Sequence, residues 1–183
     1  MTSQTLKARL ERRAARVVFG SRTWIERQIS SIVGEDSGLR ILEIGSGRQD
    51  LGQDAYSMSH LFGARTDFVR SDVNPEFGHR IVDLTADGHE PEFDVVLCVS
   101  VLEHIEDLSS ATRGLHSLLV PGGRAIVSTP FCFPYHDEPA DYWRFTMHGM
   151  QKVLRDFDPV EIRWRGARRL PFTVLATATR PGV

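Results

Sequence analysis

A glycine-rich loop is the first segment whose residue types could bind a ligand. It begins at Glu43 with the sequence EIGSGRQD, in which Gly45 and Gly47 lack a Cβ atom. The backbone at such glycines can turn sharply, and a ligand can lie directly against it. By itself the pattern also fits an ordinary turn between a strand and a helix, so the loop alone leaves both interpretations open.

Two aspartates follow at the ends of the next two predicted strands. Asp72 lies 27 residues beyond Gly45, and Asp83 ends the strand after that. A carboxylate at the first position can accept hydrogen bonds from the two hydroxyls of a ribose, and one at the second from an adenine amino group. The alternative for each aspartate is a loop cap, in which the side chain accepts from nearby backbone N–H groups.

Residues 131–146, FCFPYHDEPADYWRFT, combine aromatic and charged side chains. Such a segment suits an active-site lid, because aromatic surfaces exclude water while a few charges orient an acceptor. His136 is the candidate general base, since an imidazole titrates near neutral pH, and Asp137 or Glu138 could orient it. The candidate substrate contacts are Tyr135, Tyr142, Trp143 and Arg144.

The same segment also fits a structural cap. In that interpretation Trp143 fills the core and Arg144 pairs with Asp137 or Asp141. The DYWRFT half fits a structural role better, and the HDE half fits substrate binding better. Metal binding by the HDE triplet is disfavoured, because adjacent side chains point in different directions and no partner occurs at HxH or HxxxH spacing. We therefore predict no metal site.

Short apolar runs that alternate with helical stretches must position these loops. The run FDVVLCVS is nearly all apolar, as expected of a parallel strand buried on both faces. The alternation predicts an open α/β sheet with right-handed crossovers. The predicted strands are residues 39–44, 67–70, 80–84, 93–100 and 124–128, the last preceded by Gly122 and Gly123.

Helical spacing of apolar residues occurs at both ends of the chain. Residues 5–19 form one predicted helix with a basic face that ends at Gly20, and Ser21 caps a second helix that stops at Gly34. Further helices are predicted at residues 51–62, 108–119 and 147–157. The last two strands, 160–164 and 172–179, are joined by a short turn and should therefore be antiparallel.

The order of these motifs resembles the class I S-adenosylmethionine-dependent methyltransferases, and within them the broad group often labelled type 11. The matching pieces are the LEIGSG loop, Asp72, Asp83 and the segments FDVVLCVSVLEHI and LLVPGGRAIVSTP, which together span most of residues 39–180. The P-x-H-x-x-P-x-D-Y-W-R-F-T pattern resembles a segment of some bacterial relatives. The resemblance implies a Rossmann-like, doubly wound, mostly parallel sheet with a terminal antiparallel strand pair, and S-adenosyl-L-methionine as cofactor.

The resemblance also implies roles for the matching residues. Glu43 lies beneath the loop and orders it, near the cofactor's amino group, and the loop backbone packs against the methionine part. Asp72 holds the ribose and Asp83 lies near the adenine. Ser100 lines the sulfonium side, whereas His104 either packs beside the cofactor or takes part in catalysis. The expected cofactor contacts are Glu43, Gly45, Ser46, Gly47, Asp72, Val73, Asp83, Leu84, Ser100 and His104.

The sequence departs from the family pattern in two places. Gln49 stands where the family has its third loop glycine, which leaves the contact at that position open. The segment between Asp72 and the third strand is too short for a helix, so we expect a loop that turns at Asn74 and Pro75.

These features predict transfer of a methyl group to a hydroxyl or amine of a small molecule or an exposed sugar-like group. The alternatives are a non-catalytic binding or scaffold protein of the same fold and an NAD-dependent oxidoreductase. The second alternative fits poorly, because Asp50 stands where the GxGxxG pattern requires its last glycine. No basic domain and no N/D-P-P-Y/F motif occurs, so nucleic acid is not an expected partner.

Composition sets the remaining limits. The chain has 183 residues, a net charge of -2 and 41% hydrophobic residues, which predicts one domain with its own core. We expect a methyltransferase domain over residues 1–183, with an N-terminal helical cap at 1–36 and an α/β core at 37–183. No apolar run approaches the roughly 18 residues of a membrane helix. The two cysteines, Cys98 and Cys132, indicate no disulfide framework, so we expect a cytoplasmic protein. We also expect a monomer or homodimer, and a small molecule as the acceptor.

Overall fold

The computed structural model describes residues 20–35, 38–47, 57–136 and 140–182. The predicted helix at residues 5–19 and most of the one at 51–62 lie outside the described residues. At the end of the second, residues Ser59–Leu61 form a 3₁₀ turn. Among the described residues, no helix has the length and apolar character needed to cross a membrane.

A seven-stranded sheet forms the centre of the molecule. In chain order its strands are β1 (Arg40–Ile44), β2 (Asp67–Asp72), β3 (Arg80–Ile81), β4 (Phe93–Val99), β5 (Leu119–Pro130), β6 (Val160–Ala167) and β7 (Leu170–Thr179). Across the sheet the order is β3-β2-β1-β4-β5-β7-β6. The first five are parallel, whereas β7 pairs antiparallel with both β5 and β6. The predicted mostly parallel sheet with an antiparallel end is thus confirmed.

Helices cover both faces of the sheet. They are α1 (residues 20–33), α2 (Leu108–Leu118) and α3 (Met147–Val153). Successive residues of a strand point to opposite faces: Ile41 packs in a buried cluster with Ile29 of α1, and Leu42 in a second cluster with Leu115 of α2. The sheet is therefore doubly wound, as predicted.

The boundary predicted for α1 is wrong at its start. The helix already includes Gly20, so Ser21 lies inside it and does not cap it. Gly20 has a packing role instead, because the guanidinium of Arg165 lies where a Cβ would be. The predicted end is correct: Gly34 has a φ of +86° and its N–H donates to the Ser30 carbonyl at 2.9 Å.

Several other boundaries also differ from the prediction. Strand β2 extends to Asp72 and β6 to Ala167, β7 begins at Leu170, and α3 ends at Val153 instead of residue 157. Strand β5 contains Gly122 and Gly123, which were expected to precede it. A Cβ on Gly123 would lie 2.8 Å from the Val120 carbonyl oxygen, so the close turn of the strand requires glycine there. Strand β3 ends at Ile81, earlier than predicted, because the chain turns at Asp83.

The register of the sheet brings the ends of the parallel strands to one edge. Ile44 of β1 lies opposite Ser71 of β2 and Cys98 of β4. Gly45, Asp72 and Ser100, which stand at or just beyond the ends of these strands, therefore share the edge where open α/β sheets bind their ligands.

Candidate active site

The glycine loop after β1 adopts a conformation that glycine permits. Gly45 and Gly47 both have a φ of +69°. A Cβ on Gly45 would lie 2.7 Å from Cγ2 of Val101, in the segment after β4. The loop therefore packs directly against the neighbouring strand end, and its backbone is open to close approach.

Glu43 holds this loop from beneath. Its carboxylate is buried and accepts hydrogen bonds from Ser46 Oγ at 2.8 Å, Ser57 Oγ at 2.6 Å and the Met58 N–H at 2.6 Å. Three donors to one buried carboxylate fix the end of β1 rigidly. The ordering role proposed for Glu43 agrees with this geometry. Sequence reasoning missed Ser57 and Met58, because no local pattern links them to a side chain fourteen residues earlier.

Asp72 is placed to receive a polar ligand beside the loop. Only 8% of the residue is exposed, and its carboxylate accepts from the N–H groups of Gly47 and Asn74, each at 3.0 Å. A carboxylate has about four acceptor positions, so two remain for a diol. His79 also contacts the loop, with Nε2 2.9 Å from the Gly47 carbonyl oxygen. The neighbouring Val73 is 61% exposed.

The segment between β2 and β3 turns where the sequence predicted. Asn74 Oδ1 accepts from the Glu76 N–H, and residues Pro75–Phe77 form a 3₁₀ turn that ends at Gly78. No longer helix intervenes between Asp72 and β3. The edge of the sheet beside Asp72 is therefore bounded by a short, well-capped loop.

Asp83 behaves as the loop cap that the sequence left open. Its Oδ1 accepts from the N–H and Oγ1 of Thr85 at 2.8 and 2.7 Å, and these bonds lower the pKa of Asp83. The side chain of Leu84 is buried in the core, and its carbonyl contacts Gly114 of α2. Leu84 as a whole is only 1% exposed. The cofactor contacts expected of Asp83 and Leu84 stay predictions.

The segment after β4 begins with a constrained residue. Ser100 has a φ of +54°, and its N–H donates to the Ser128 carbonyl at 2.8 Å. A residue other than glycine in this left-handed region carries strain, and such strain is often found at functional sites. The exposed Ser100 thus stands at the edge of the sheet, between the glycine loop and residues 131–146.

Glu103, which the sequence analysis did not single out, is the most unusual residue of the site. It is fully buried, and neither carboxylate oxygen has a hydrogen-bond partner among the described residues. Burial raises the pKa of Glu103 to about 8. Its backbone carbonyl accepts from the N–H groups of Tyr142 at 2.8 Å and Trp143 at 3.3 Å. The aromatic segment is therefore anchored to the loop after β4.

Within that segment, Asp141 organises the charged residues. Its side chain is 1% exposed and accepts a bidentate pair of hydrogen bonds from Arg144, with Nη2 2.7 Å from Oδ2. Arg144 holds the pKa of Asp141 well below its ordinary value. The backbone N–H of His136 donates to the same carboxylate at 3.0 Å, and its ring Nδ1 lies 3.3 Å away. Asp137 and Glu138, the predicted helpers of His136, lie outside the described residues.

Trp143 does not fill the core, as the alternative structural-cap interpretation supposed, although the pairing of Arg144 with Asp141 that belongs to the same interpretation is present. Trp143 is 40% exposed and its indole Nε1 donates to the Ile105 carbonyl at 2.9 Å, whereas Phe145 is the buried aromatic. Tyr135 and Tyr142 are 74% and 49% exposed. These side chains offer apolar surface near the strand ends.

His104, in the loop after β4, contacts two residues of the aromatic segment 131–146, Ala140 and His136. Its Nδ1 pairs with the Ala140 carbonyl oxygen, and its ring meets that of His136 edge-on with centroids 4.9 Å apart. The ligand-forming atoms of Glu103, His104 and His136 all lie within 4.8 Å of one another. Spacing along the chain did not predict this grouping, because the expectation of no metal site was based on the HDE triplet.

The residues present fit S-adenosylmethionine. Gly45 and Gly47 give open backbone, Asp72 keeps acceptor positions for a ribose, and Ser100 lies exposed beside them. Gln49, whose effect on the loop the sequence left open, lies outside the described residues.

Comparison with known proteins agrees with this geometry. Residues 11–169 match the family model described as "Methyltransferase domain". The ubiquinone biosynthesis O-methyltransferase of Ruegeria pomeroyi is 34% identical over 125 residues, covering 58% of this chain and 50% of the relative. That of Alkalilimnicola ehrlichii is 31% identical over 112 residues, covering 55% and 45%. The chain thus spans about half the length of these curated relatives.

Solved structures share the fold. The 1,6-didemethyltoxoflavin-N1-methyltransferase of Burkholderia thailandensis, with bound S-adenosylhomocysteine, superposes with a TM-score of 0.60 at 19% identity, covering 100% of this chain and 92% of that one. Phosphoethanolamine N-methyltransferase 2 of Haemonchus contortus, in complex with S-adenosylmethionine, gives 0.62 at 14% identity, with 85% and 52% covered.

Proposed function

Since the chain belongs to the methyltransferase domain family, with S-adenosylmethionine as its cofactor, we propose that it methylates a hydroxyl or amine of a small molecule or of an exposed sugar-like group. The observation that supports this most is the anchoring of residues 140–143 on Glu103 and His104. It joins the cofactor edge of the sheet to a segment with exposed aromatic and polar side chains.

The cofactor supplies the chemistry when bound, because its methyl group is carried on a sulfonium. The protein must then align the acceptor in line with that methyl group and exclude water. The exposed rings of Tyr142 and Trp143 suit both tasks, since they offer flat apolar surface beside the strand ends.

The loss of a proton from the acceptor is the step for which the site offers a residue. The ring Nδ1 of His136 lies 3.3 Å from both the Asp141 carboxylate and the Pro134 carbonyl oxygen, and these two contacts orient the imidazole. We propose that His136 assists this deprotonation and that Asp141 takes the orienting role first assigned to Asp137 or Glu138.

A hydroxyl is the favoured acceptor within this proposal. The curated relatives are named O-methyltransferases, although the chain matches only about half of their length. The exposed rings of Tyr142 and Trp143, which form an aromatic rim, also suit a flat or cyclic acceptor. The same rim is compatible with the face of a sugar, so both belong in the panel of acceptors to be tried.

The test is transfer of a labelled methyl group from S-adenosylmethionine to a panel of phenols, sugars and primary amines. We expect a hydroxyl acceptor to be methylated and His136→Ala to lower kcat/KM by about a hundredfold. His148→Ala, on an exposed position of α3, is the matched control and should leave the rate unchanged. An unchanged rate in His136→Ala would remove His136 from the reaction.

A further inference from the structure

The buried carboxylate of Glu103, which is unpaired among the residues that the structure describes, is suited to binding a cation. A buried carboxylate without a partner is costly, and native proteins almost always pair such a group or place a metal ion on it. The nearby Arg144 does not bond to it, because its guanidinium donates to Asp141 and Pro134. Within the described part of the chain both oxygens of Glu103 therefore stay free for another ligand.

Two imidazoles beside this carboxylate are oriented in the way that metal-binding histidines are. The Nδ1 of His104 faces the Ala140 carbonyl oxygen, which can only accept, so the lone pair of that ring is on Nε2. The Nδ1 of His136 lies 3.3 Å from both the Pro134 carbonyl oxygen and the Asp141 carboxylate. A second hydrogen bond to a carbonyl or carboxylate fixes the tautomer and direction of histidine ligands in metal sites.

We propose that Glu103, His104 and His136 bind one divalent transition-metal ion, such as Zn²⁺, Mn²⁺ or Fe²⁺. Two imidazoles and one carboxylate are a ligand set that such ions favour over Mg²⁺. Ligand atoms that share an ion at about 2.1 Å lie roughly 3 to 4 Å apart, so the 4.8 Å limit seen here closes with side-chain shifts of less than about 1 Å. Three protein ligands leave at least one coordination position open.

This site deepens the proposed methyl transfer and rests on it for its catalytic meaning. An acceptor hydroxyl bound at the open position becomes more acidic, as metal-bound water does. Its proton passes to solvent, its oxygen forms the bond to the methyl carbon, and the S–C bond breaks with its electron pair remaining on sulfur. The products are a methyl ether and S-adenosylhomocysteine. In this mechanism His136 assists deprotonation indirectly, by binding the ion that makes the acceptor hydroxyl more acidic.

Metal binding can be measured without any acceptor. The full chain, stripped with a chelator and dialysed, is titrated with Co²⁺ and followed by its visible d–d absorption, and with Zn²⁺, Mn²⁺ and Mg²⁺ by calorimetry. We expect one equivalent of Co²⁺, Zn²⁺ or Mn²⁺ per chain and much weaker binding of Mg²⁺. Glu103→Gln and His136→Ala should each weaken Co²⁺ binding by a hundredfold or more. Asp141→Asn should weaken it about tenfold to a hundredfold, since it removes an outer partner.

Two controls make the outcome decisive. His148→Ala removes an exposed imidazole outside the cluster and should bind Co²⁺ like the wild type. Calorimetry with S-adenosylhomocysteine on each variant shows whether the cofactor site is intact and so tests the proposed function separately. A wild-type chain that binds S-adenosylhomocysteine but no transition-metal ion overturns the metal site alone. Equal Co²⁺ binding by the wild type and the variants overturns it as well.

Discussion

The buried Glu103 predicts an unusual dependence of stability on pH. In the folded chain, burial raises the pKa of this carboxyl group from an ordinary 4.5 to about 8; the charge of Asp141 adds a smaller increase and that of Arg144 a smaller decrease. In the unfolded chain the group ionises at its ordinary pKa. Between these two values the unfolded state binds fewer protons, so stability contributed by neutral Glu103 is full below pH 4.5 and is lost as the pH rises towards 8.

The size of the effect follows from the same values. Each pKa unit corresponds to about 1.4 kcal/mol, so the metal-free wild type should lose roughly 3 kcal/mol of unfolding free energy between pH 5 and pH 8 through this group. Glu103→Gln has nearly the same shape but does not titrate, so it should lack this loss. Other titrating groups are common to both proteins and cancel in the difference.

Urea unfolding in the presence of a chelator, followed by circular dichroism at pH 5, 6, 7 and 8, measures this difference. We expect the curve of unfolding free energy against pH to fall more steeply for the wild type than for Glu103→Gln, by roughly 3 kcal/mol over the range. Parallel curves for the two proteins would refute the conclusion that Glu103 is buried without a partner.

Further predictions concern the loop and the lid. Gly45→Ala places a methyl group 2.7 Å from Val101 Cγ2 and should lower affinity for S-adenosylhomocysteine about tenfold by calorimetry. Gly88→Ala is the matched control, because Gly88 also has a positive φ, +85°, but has no atom within 4 Å of the added methyl group; equal affinities in the two variants would contradict the packing argument. Asp141→Asn should flatten the loss of stability at acid pH. In the wild type the hydrogen bonds from Arg144 keep the pKa of Asp141 low, so their contribution to stability is present above pH 3.8 and is lost as the pH falls further. If the urea midpoint changes by the same amount between pH 7 and pH 3 in wild type and variant, this explanation is ruled out.

The sheet could be predicted because its signals are local. Apolar runs such as the one around Cys98 show where buried strands lie, and a short link between two such runs forces an antiparallel pair. The residues after each strand then share an edge by geometry alone, and this is why the glycine loop and Asp72 lie beside each other, with the Gly47 N–H donating to Asp72. Strand ends were less accurate, because bulges and caps such as that at Asp83 depend on single hydrogen bonds.

The acceptor side of the site could not be predicted in the same way. Glu103 and His136 are 33 residues apart, and nothing in the spacing shows that a loop after β5 returns to the loop after β4. The sequence also did not show which aromatic side chain is buried. Trp143 has the larger ring, yet Phe145 occupies the core because its ring has no polar atom to satisfy. The indole N–H of Trp143 instead finds the Ile105 carbonyl at the surface.

A crystal structure with S-adenosylhomocysteine tests the central claim most directly. We expect the ribose hydroxyls within hydrogen-bond distance of the Asp72 carboxylate, the amino-acid part along the backbone of Gly45 and Gly47, and the sulfur facing the cluster of Glu103, His104 and His136. Density for the ligand with its ribose away from Asp72, or with its sulfur on the far side of Ser100 from this cluster, would contradict it.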